Sequence, residues 1–183
     1  MKPYRLFAAT GCGSDIAERF LRHAGVPYEV VPLDWDRRAQ WKVMDPYNPL
    51  RQVPTLVLPN GEVLTETLAI AVHCERLRPG LIPKGKNADR FWRWGVFIVA
   101  NIYPTFTLRD NAEKFVRGEK AQTEFVANVV KKRKALWRQL YAEYKGPWFL
   151  GTQKSAIDDY LAVMTTWGPG GQWFRKEFGA KVR

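Results

Sequence analysis

Cysteine and histidine are scarce in this chain, with two residues of each among 183. Cys12 and Cys74 lie far apart and outside any C-x-x-C pattern, which argues against a disulfide framework and a structural zinc site. His23 and His73 are too isolated to form a metal site or a catalytic pair. We therefore expect no metal, and a reducing, cytoplasmic setting.

Long apolar runs are also lacking. No stretch approaches the roughly 18 residues that are needed to cross a bilayer, so we expect no membrane association. The N-terminal stretch MKPYRLFAATG has neither the continuous apolar core nor the cleavage pattern of a signal peptide, and we interpret it as the mature N-terminus. Aromatic residues, in contrast, make up 14% of the chain and supply ample material for a core.

Acidic residues are few relative to basic ones, and the imbalance is confined to one part of the chain. The net charge is +11, yet residues 1–80 hold ten basic against nine acidic residues. The positive excess therefore lies after residue 80, where it includes the run KKRK at 131–134. A solvated basic helical surface is our preferred interpretation, and binding of nucleic acid or of an acidic partner is the alternative.

Apolar periodicity predicts two segments of different architecture. Up to residue 80 the predicted order is strand 4–9, helix 14–25, strand 28–34, a polar irregular stretch 35–52 with at most one short helix, hairpin 55–65 and helix 66–80. We assign Ser14 as the N-cap of the first helix and Cys74 to packing in the last one. Everything after the segment 81–88, which is rich in proline, glycine and lysine, is predicted to be helical.

The longest predicted helix, 119–146, carries one broad apolar arc that would face a core. Arg133 falls inside that arc and breaks the pattern. We expect it to snorkel, to pair with an acid, or to lie at a contact between domains or subunits. A further helix is predicted over 154–168. In the helical segment that begins at Asp89, Pro104 is predicted to cause a kink or a break.

Two motifs stand out in this framework. The stretch NPLRQVPTLVLPNGEVLTETLAI, at 48–70, contains Asn-Pro, then Val-Pro before a hairpin, then Glu-Thr opening a helix. Further along, the residues from Ser155 to Asp158 have the pattern of an N-capping box. In this order the two motifs resemble those of cytosolic glutathione transferases, especially the bacterial, beta-like branch, and the resemblance covers nearly the whole chain.

The resemblance implies a fold with two domains. An α/β thioredoxin-like N-terminal domain, which binds glutathione, would span 1–80. A linker would follow at 81–88, and an all-α C-terminal domain would span 89–183. Family members usually continue through another helix beyond QWFRKEFGAKVR, so the resemblance implies that the C-terminal domain is a short or truncated form.

A glutathione site in the first domain is also implied by the resemblance. Thr67 would hold the γ-glutamyl carboxylate through its hydroxyl and its N–H, because a helix N-terminus favours anions. Glu66 would take the ammonium group. Val53, joined to Pro54 by a cis peptide bond, would pair its backbone with the peptide as a strand does. The residues implied at the glycyl end are Gln52 and Arg51.

The family places its catalytic residue in the turn between the first strand and the first helix, here residues 10–14. Beta-like members use cysteine, although their position falls on Gly13, one residue after Cys12. The bare N–H groups of a helix N-terminus stabilise a thiolate there, which Asp15 would oppose. Three hypotheses stay open: Cys12 acts on the glutathione sulfur; Thr10, Ser14 or a backbone N–H stabilises the glutathione thiolate; or Cys12 is a small buried filler.

The function implied is that of a detoxifying glutathione transferase, a cytoplasmic homodimer with glutathione as its cosubstrate. Tyr103 and Phe106 would line the pocket for an apolar electrophile, although Tyr103-Pro104 stands where the beta class has a His-Lys pair. One alternative is a glutathione-dependent thiol-disulfide reductase that uses Cys12. The other is a non-catalytic assembly module with the same fold.

Overall fold

The computed structural model describes residues 2–168 and 170–181. These residues form two compact units. The first comprises the chain up to Pro83 together with Asp158–Val163, and the second comprises Lys84–Ile157 together with the residues from Met164 onward. The unit boundary falls inside the predicted linker 81–88, and residues 182–183 of the predicted C-terminal domain lie outside the described residues.

A four-stranded mixed sheet forms the centre of the first unit, in the order β2-β1-β3-β4. The strands are β1 (Tyr4–Ala8), β2 (Tyr28–Pro32), β3 (Thr55–Val57) and β4 (Val63–Leu64). The β1 strand runs parallel to β2, and the other neighbours are antiparallel. Helix α1 (Gly13–Ala24) joins β1 to β2, and α2 (Thr67–Leu77) follows β4 and packs against α1. The order predicted for this part of the chain is confirmed.

The register of the sheet brings three loops to one end. Phe7 of β1 lies opposite Thr55 of β3, and Leu56 of β3 lies opposite Leu64 of β4, both in antiparallel pairs. The end of β1, the start of β3 and the end of β4 therefore meet at the same end of the sheet. The turn into α1, the Val53-Pro54 segment and the start of α2 lie there, and we call this region the loop end of the sheet.

The core of the first unit lies between the sheet and its two helices. Leu6, Ile16, Phe20 and Ile70 are fully buried, as the apolar spacing of their elements requires. Cys74 of α2 is 0% exposed, which confirms its assignment to packing. Burial raises the pKa of the Cys74 thiol to about 12.

Short 3₁₀ turns, Trp35–Met44, cross the stretch that was predicted to be mostly irregular. The helical geometry is interrupted at Arg37, and only Trp41 and Met44 of the segment are buried. These two side chains join an apolar cluster with Phe7 and Ala9 of the β1 region. The segment is thus anchored by two residues and polar elsewhere, which explains why its periodicity was weak.

The second unit is helical. Its elements are α3 (Ala88–Phe97), a π-helical turn (Ile98–Ile102), α4 (Pro104–Asp110), α5 (Glu119–Ala142), the ends of α6 (Ala156–Met164) and α7 (Gly171–Phe178). Pro104 occupies the first turn of α4, where its missing N–H costs no hydrogen bond. Helix α6 begins directly after Ser155, with Asp158 as its third residue, and these are the positions that a capping box requires.

Arg133 is the exception in the packing of α5. Its side chain is fully buried and donates to Thr105 Oγ1, to the Thr105 carbonyl and to the Gly168 carbonyl at 2.8, 2.7 and 2.9 Å. No carboxylate of the described residues lies within ion-pair distance of it. The expectations that Arg133 snorkels or pairs with an acid are therefore wrong, because neutral oxygens satisfy it instead.

Candidate functional site

Cys12 occupies the N-cap position of α1 at the loop end of the sheet. Its backbone is extended, with φ −117°, and its half-buried side chain makes no capping hydrogen bond. The Cys12 Sγ lies 3.6 Å from the Thr10 carbonyl, which accepts from the thiol. Part of the side chain packs against the apolar cluster that contains Phe7 and Trp41. The sulfur thus lies at the N-terminus of a twelve-residue helix, where the first backbone N–H groups have no partner within the helix.

Ser14 has a different role from the one predicted. It is the second residue of α1 and is fully buried, so its assignment as the N-cap is wrong. Its hydroxyl donates to the Ala9 carbonyl at 2.9 Å and accepts from the Ala9 N–H at 3.1 Å. Because β1 ends just before this turn, the serine hydroxyl supplies hydrogen bonds to the N–H and C=O of Ala9 in place of a neighbouring strand. Thr10, the other hydroxyl in the turn, is exposed.

Trp35 contributes a hydrogen-bond donor that the sequence did not predict. Its indole Nε1 lies 3.0 Å from Cys12 Sγ and donates to it. The ring also lies 4.9 Å from that of Trp41, and the Arg38 guanidinium covers both rings. The only signal in the sequence was the presence of two tryptophans in a mostly polar segment.

Asp15 places a carboxyl group beside the same turn, as expected. Its Oδ2 accepts from the Gly11 N–H at 3.0 Å. Burial raises the pKa of Asp15 and neighbouring Glu18 adds to the rise, while the Gly11 N–H and Arg19 oppose it.

The peptide bond between Val53 and Pro54 is cis, as predicted. Pro54 is buried, and the side chain of Val53 is half-buried against the apolar cluster. Among the described residues, no hydrogen bond engages the N–H or the C=O of Val53. The backbone beside β3 therefore offers one donor and one acceptor to an extended chain.

Gln52 and Arg51 precede this segment. The Gln52 side chain is exposed, while its carbonyl accepts from Asn48 Nδ2 at 3.2 Å and from Thr55 Oγ1 at 2.8 Å. Arg51 binds Asp45 through two bonds of 2.6 and 2.9 Å, and this guanidinium lowers the pKa of the Asp45 carboxyl. The predicted cation for a ligand carboxylate is thus already engaged by a carboxylate of its own chain.

Glu66 and Thr67 form the start of α2. Glu66 is the N-cap residue and is exposed, and Thr67 is the first residue of the helix and is buried. The hydroxyl of Tyr160 donates to Thr67 Oγ1 at 2.5 Å. Because that oxygen already receives one proton, its own proton is available to a further acceptor. Tyr160 lies 93 residues away in sequence, and no local pattern could have identified it.

Backbone strain coincides with the predicted site. In the described residues, positive φ outside glycine occurs only at Arg51 and Glu66, with values of 49° and 62°. Such conformations are uncommon for non-glycine residues and collect at functional sites. Both residues belong to the set that was predicted to bind glutathione.

Tyr103 and Phe106 lie in the second unit, with Trp167 beside both of them. The ring of Trp167 lies 5.5 Å from that of Tyr103 and 5.0 Å from that of Phe106, edge to face in both pairs. Tyr103 is half-buried, whereas Phe106 is only 6% exposed. Phe106 therefore packs mainly within the unit, and Tyr103 is the more accessible of the two predicted pocket residues.

Two further observations concern metals and membranes. In the described part of the chain, no three or more His, Cys, Asp or Glu side chains are grouped so that they could hold a metal ion. None of the helices described has the length and apolar character that a membrane span requires.

Comparison with known proteins adds sequence evidence. The family model for the N-terminal domain of glutathione S-transferases matches residues 17–77. The uncharacterized GST-like protein YncG of Escherichia coli strain K12 is 40% identical over 179 residues, which cover 93% of this chain and 85% of that protein.

Solved structures share the fold. A glutathione transferase homolog from sulfitobacter, with bound glutathione, has a TM-score of 0.87 at 21% identity and covers 99% of this chain and 91% of its own. A glutathione S-transferase from Methylobacillus flagellatus KT, also with glutathione bound, has a TM-score of 0.80 at 16% identity, with coverages of 97% and 90%.

Proposed function

Since the chain belongs to the glutathione transferase family, we propose that it binds glutathione at the loop end of the sheet and activates the glutathione thiol for attack on an electrophile. The observation that carries the proposal is the meeting of three loops there, two of which open helices. Adjacent strands lie about 4.8 Å apart, so β1 and β4, on either side of β3, are separated by roughly 10 Å. An extended tripeptide spans roughly 10 Å as well.

The two ends of glutathione would bind at different loops. The N–H groups at the start of α2 and the Thr67 hydroxyl would hold the γ-glutamyl carboxylate, and Glu66 would take the ammonium group. The backbone of Val53 would pair with the cysteinyl part, and Gln52 would steady the glycyl end. Arg51 would reach the glycyl carboxylate only by sharing its guanidinium with Asp45.

The glutathione sulfur would then lie at the start of α1. There the helix N–H groups and the dipole stabilise a thiolate and lower the cost of its formation. Cys12 is our first candidate for contact with that sulfur, and the exposed Thr10 hydroxyl is the second. We rank Ser14 last, because its hydroxyl proton is donated to Ala9 in a fully buried position.

An apolar electrophile would bind against the aromatic residues of the second unit, with Tyr103 in contact and Phe106 behind it. The rate gain would come from the electrostatic stabilisation of the thiolate and from proximity of the two reactants. We further propose that the active form is a cytoplasmic homodimer, as in the family at large.

Calorimetric titration with glutathione tests the binding step. We expect saturable binding that Thr67→Ala weakens by about tenfold to a hundredfold, since a hydrogen bond to a charged group contributes about 1.5–3 kcal/mol. Thr123→Ala, which removes an exposed hydroxyl bonded only within α5, is the matched control and should bind as the parent does. Absence of heat with the folded parent protein would contradict the proposal.

A thiol-disulfide reductase is the second candidate, and the contact between Trp35 and Cys12 Sγ favours it. The Cys12 thiolate would attack one sulfur of glutathione disulfide, form a mixed disulfide with that half and release the other half as a glutathione thiolate. Intact-mass analysis after exposure to glutathione disulfide should then show one glutathione on Cys12 and none on the buried Cys74. An unmodified Cys12 would contradict the reductase and leave the transferase as the remaining candidate function.

A further inference from the structure

The buried Arg133 makes no ion pair in the described structure, although the Asp110 carboxyl lies near enough to oppose the lowering of its pKa. All three of its hydrogen bonds go to neutral oxygens, and its guanidinium carbon lies 3.9 Å from the centroid of the Phe106 ring. A buried cation is costly unless it is paired, and burial lowers the pKa of Arg133 to about 10. A guanidinium has five N–H groups, so donors remain for a further partner.

A second guanidinium lies at the same place. A Cβ added at Gly168 would overlap Arg109 Nη1 and would lie 3.6 Å from Arg133 Nη1, so both side chains converge on this glycine. The Arg109 guanidinium carbon also lies 5.8 Å from the centroid of Phe106. Arg109 binds Asp110 only through its Nε, which leaves both terminal nitrogens to other acceptors. Asp110 balances one of the two positive charges, so the group keeps one positive charge that a further anion would neutralise.

Aromatic rings lie beside the two guanidiniums. Trp167 stands edge to face with Tyr103 and with Phe106, and both Trp167 and Tyr103 are half-buried, as is Gly168. The Arg109 side chain is 32% exposed and can be reached from solvent, whereas Arg133 is fully buried. The same small region therefore offers an apolar ring surface and one accessible fork of N–H donors.

We propose that Arg109 binds the carboxylate of an aromatic acid whose ring lies against Tyr103 and Trp167, and that the buried Arg133 adds its positive charge from behind. This inference rests on the proposed function, because it identifies aromatic acids as the class of electrophile that binds to the second unit. The expected apolar electrophile thus gains a charged group. The Arg109 guanidinium suits a carboxylate, since its two terminal nitrogens can donate in parallel to the two oxygens.

The binding step can be tested without glutathione. Calorimetric titrations would compare naphthoate with naphthamide, which has the same ring system but a neutral group. We expect the parent protein to prefer naphthoate, and Arg109→Gln to weaken naphthoate by about tenfold to a hundredfold while changing naphthamide by less than about twofold. Arg109 is chosen over Arg133 because it is partly exposed and its loss leaves the buried bonds intact.

Arg138→Gln is the matched control, since Arg138 is an exposed arginine of the same unit that binds Glu177. It should leave both affinities unchanged. The proposal would be overturned if the parent bound the two compounds with equal affinity, or if Arg109→Gln weakened the binding of both equally. Arg133 would then serve only to link α4 and α5 through its hydrogen bonds to Thr105.

Conjugation assays separate this inference from the proposed function. With glutathione present, chlorodinitrobenzoate should react with a higher kcat/KM than chlorodinitrobenzene, and Arg109→Gln should remove that preference. If neither compound is conjugated but the titrations still show a preference for the carboxylate, the transferase function is contradicted and the anion site is supported. Conjugation of both at equal rates would overturn the assignment of the substrate class.

Discussion

Ser14 shows how position decides the role of a side chain whose chemistry suits several. A serine next to the turn into α1 is a reasonable catalytic candidate by residue type. In the structure its hydroxyl is fully buried and bridges both backbone groups of Ala9. Cys12, two residues earlier, is half-buried and receives the indole N–H of Trp35. The residue accessible to a ligand is thus the cysteine, although both lie in the same turn.

Ser14→Ala should destabilise the protein and should not abolish chemistry directly. Loss of the hydroxyl leaves two buried backbone groups of Ala9 without partners, which costs about 1–3 kcal/mol of unfolding free energy. Urea unfolding would measure this, with Thr10→Ala, an exposed position, expected within about 0.5 kcal/mol of the parent. If Ser14→Ala kept full stability but lost conjugating activity, the hydroxyl would be catalytic and our ranking would be wrong.

At the scale of elements, the candidate site depends on how helices present their first turns. Helix α2 begins at Thr67 after a residue with positive φ, which turns the chain sharply out of the hairpin. Tyr160, in the part of α6 that belongs to the first unit, fixes the hydroxyl of Thr67 from the buried side. The Thr67 proton that we propose for the ligand is therefore oriented by an element that follows much later in the chain.

Tyr160→Phe tests this orientation. Removal of the donor should weaken glutathione binding by about two- to twelvefold, the effect of one hydrogen bond contributing about 0.5–1.5 kcal/mol. Calorimetric titration measures the change, and Tyr144→Phe provides the matched control, because the Tyr144 hydroxyl donates to the Pro147 carbonyl in the second unit. An unchanged affinity in Tyr160→Phe would show that Thr67 needs no external orientation.

Local patterns in the sequence predicted the elements well and their partners poorly. Apolar spacing and turn residues placed β1, α1, the hairpin and α2 within one to three residues of their observed bounds, because those signals act over a few positions. The start of α1 was misplaced, since Ser14 has the typical N-cap side chain while the chain uses Cys12. The 3₁₀ segment from Trp35 was predicted only as at most one short helix without bounds, because only two of its residues are buried.

For the molecule as a whole, composition does not show where the positive charges lie. The excess of positive residues lies in the part of the chain that forms the second unit. Of its cations, Arg133 is fully buried, Arg138 binds Glu177, and Arg109 binds Asp110. A count of charged residues cannot distinguish these three arginines from solvated lysines. The convergence of Arg109 and Arg133 depends on the tertiary packing of α4 against α5. The sequence therefore predicted a basic surface, while the structure locates a cationic pair.

The contrast between the two cysteines has a practical consequence for labelling. Cys74 is fully buried, and its thiol stays protonated at neutral pH because burial raises its pKa to about 12. A maleimide dye added to the unmodified chain should therefore attach at Cys12 alone. The protein can thus be tagged or immobilised at a single sulfur without mutagenesis, and the rate of tagging provides a direct optical measure of how well a bound molecule shields the loop end of the sheet.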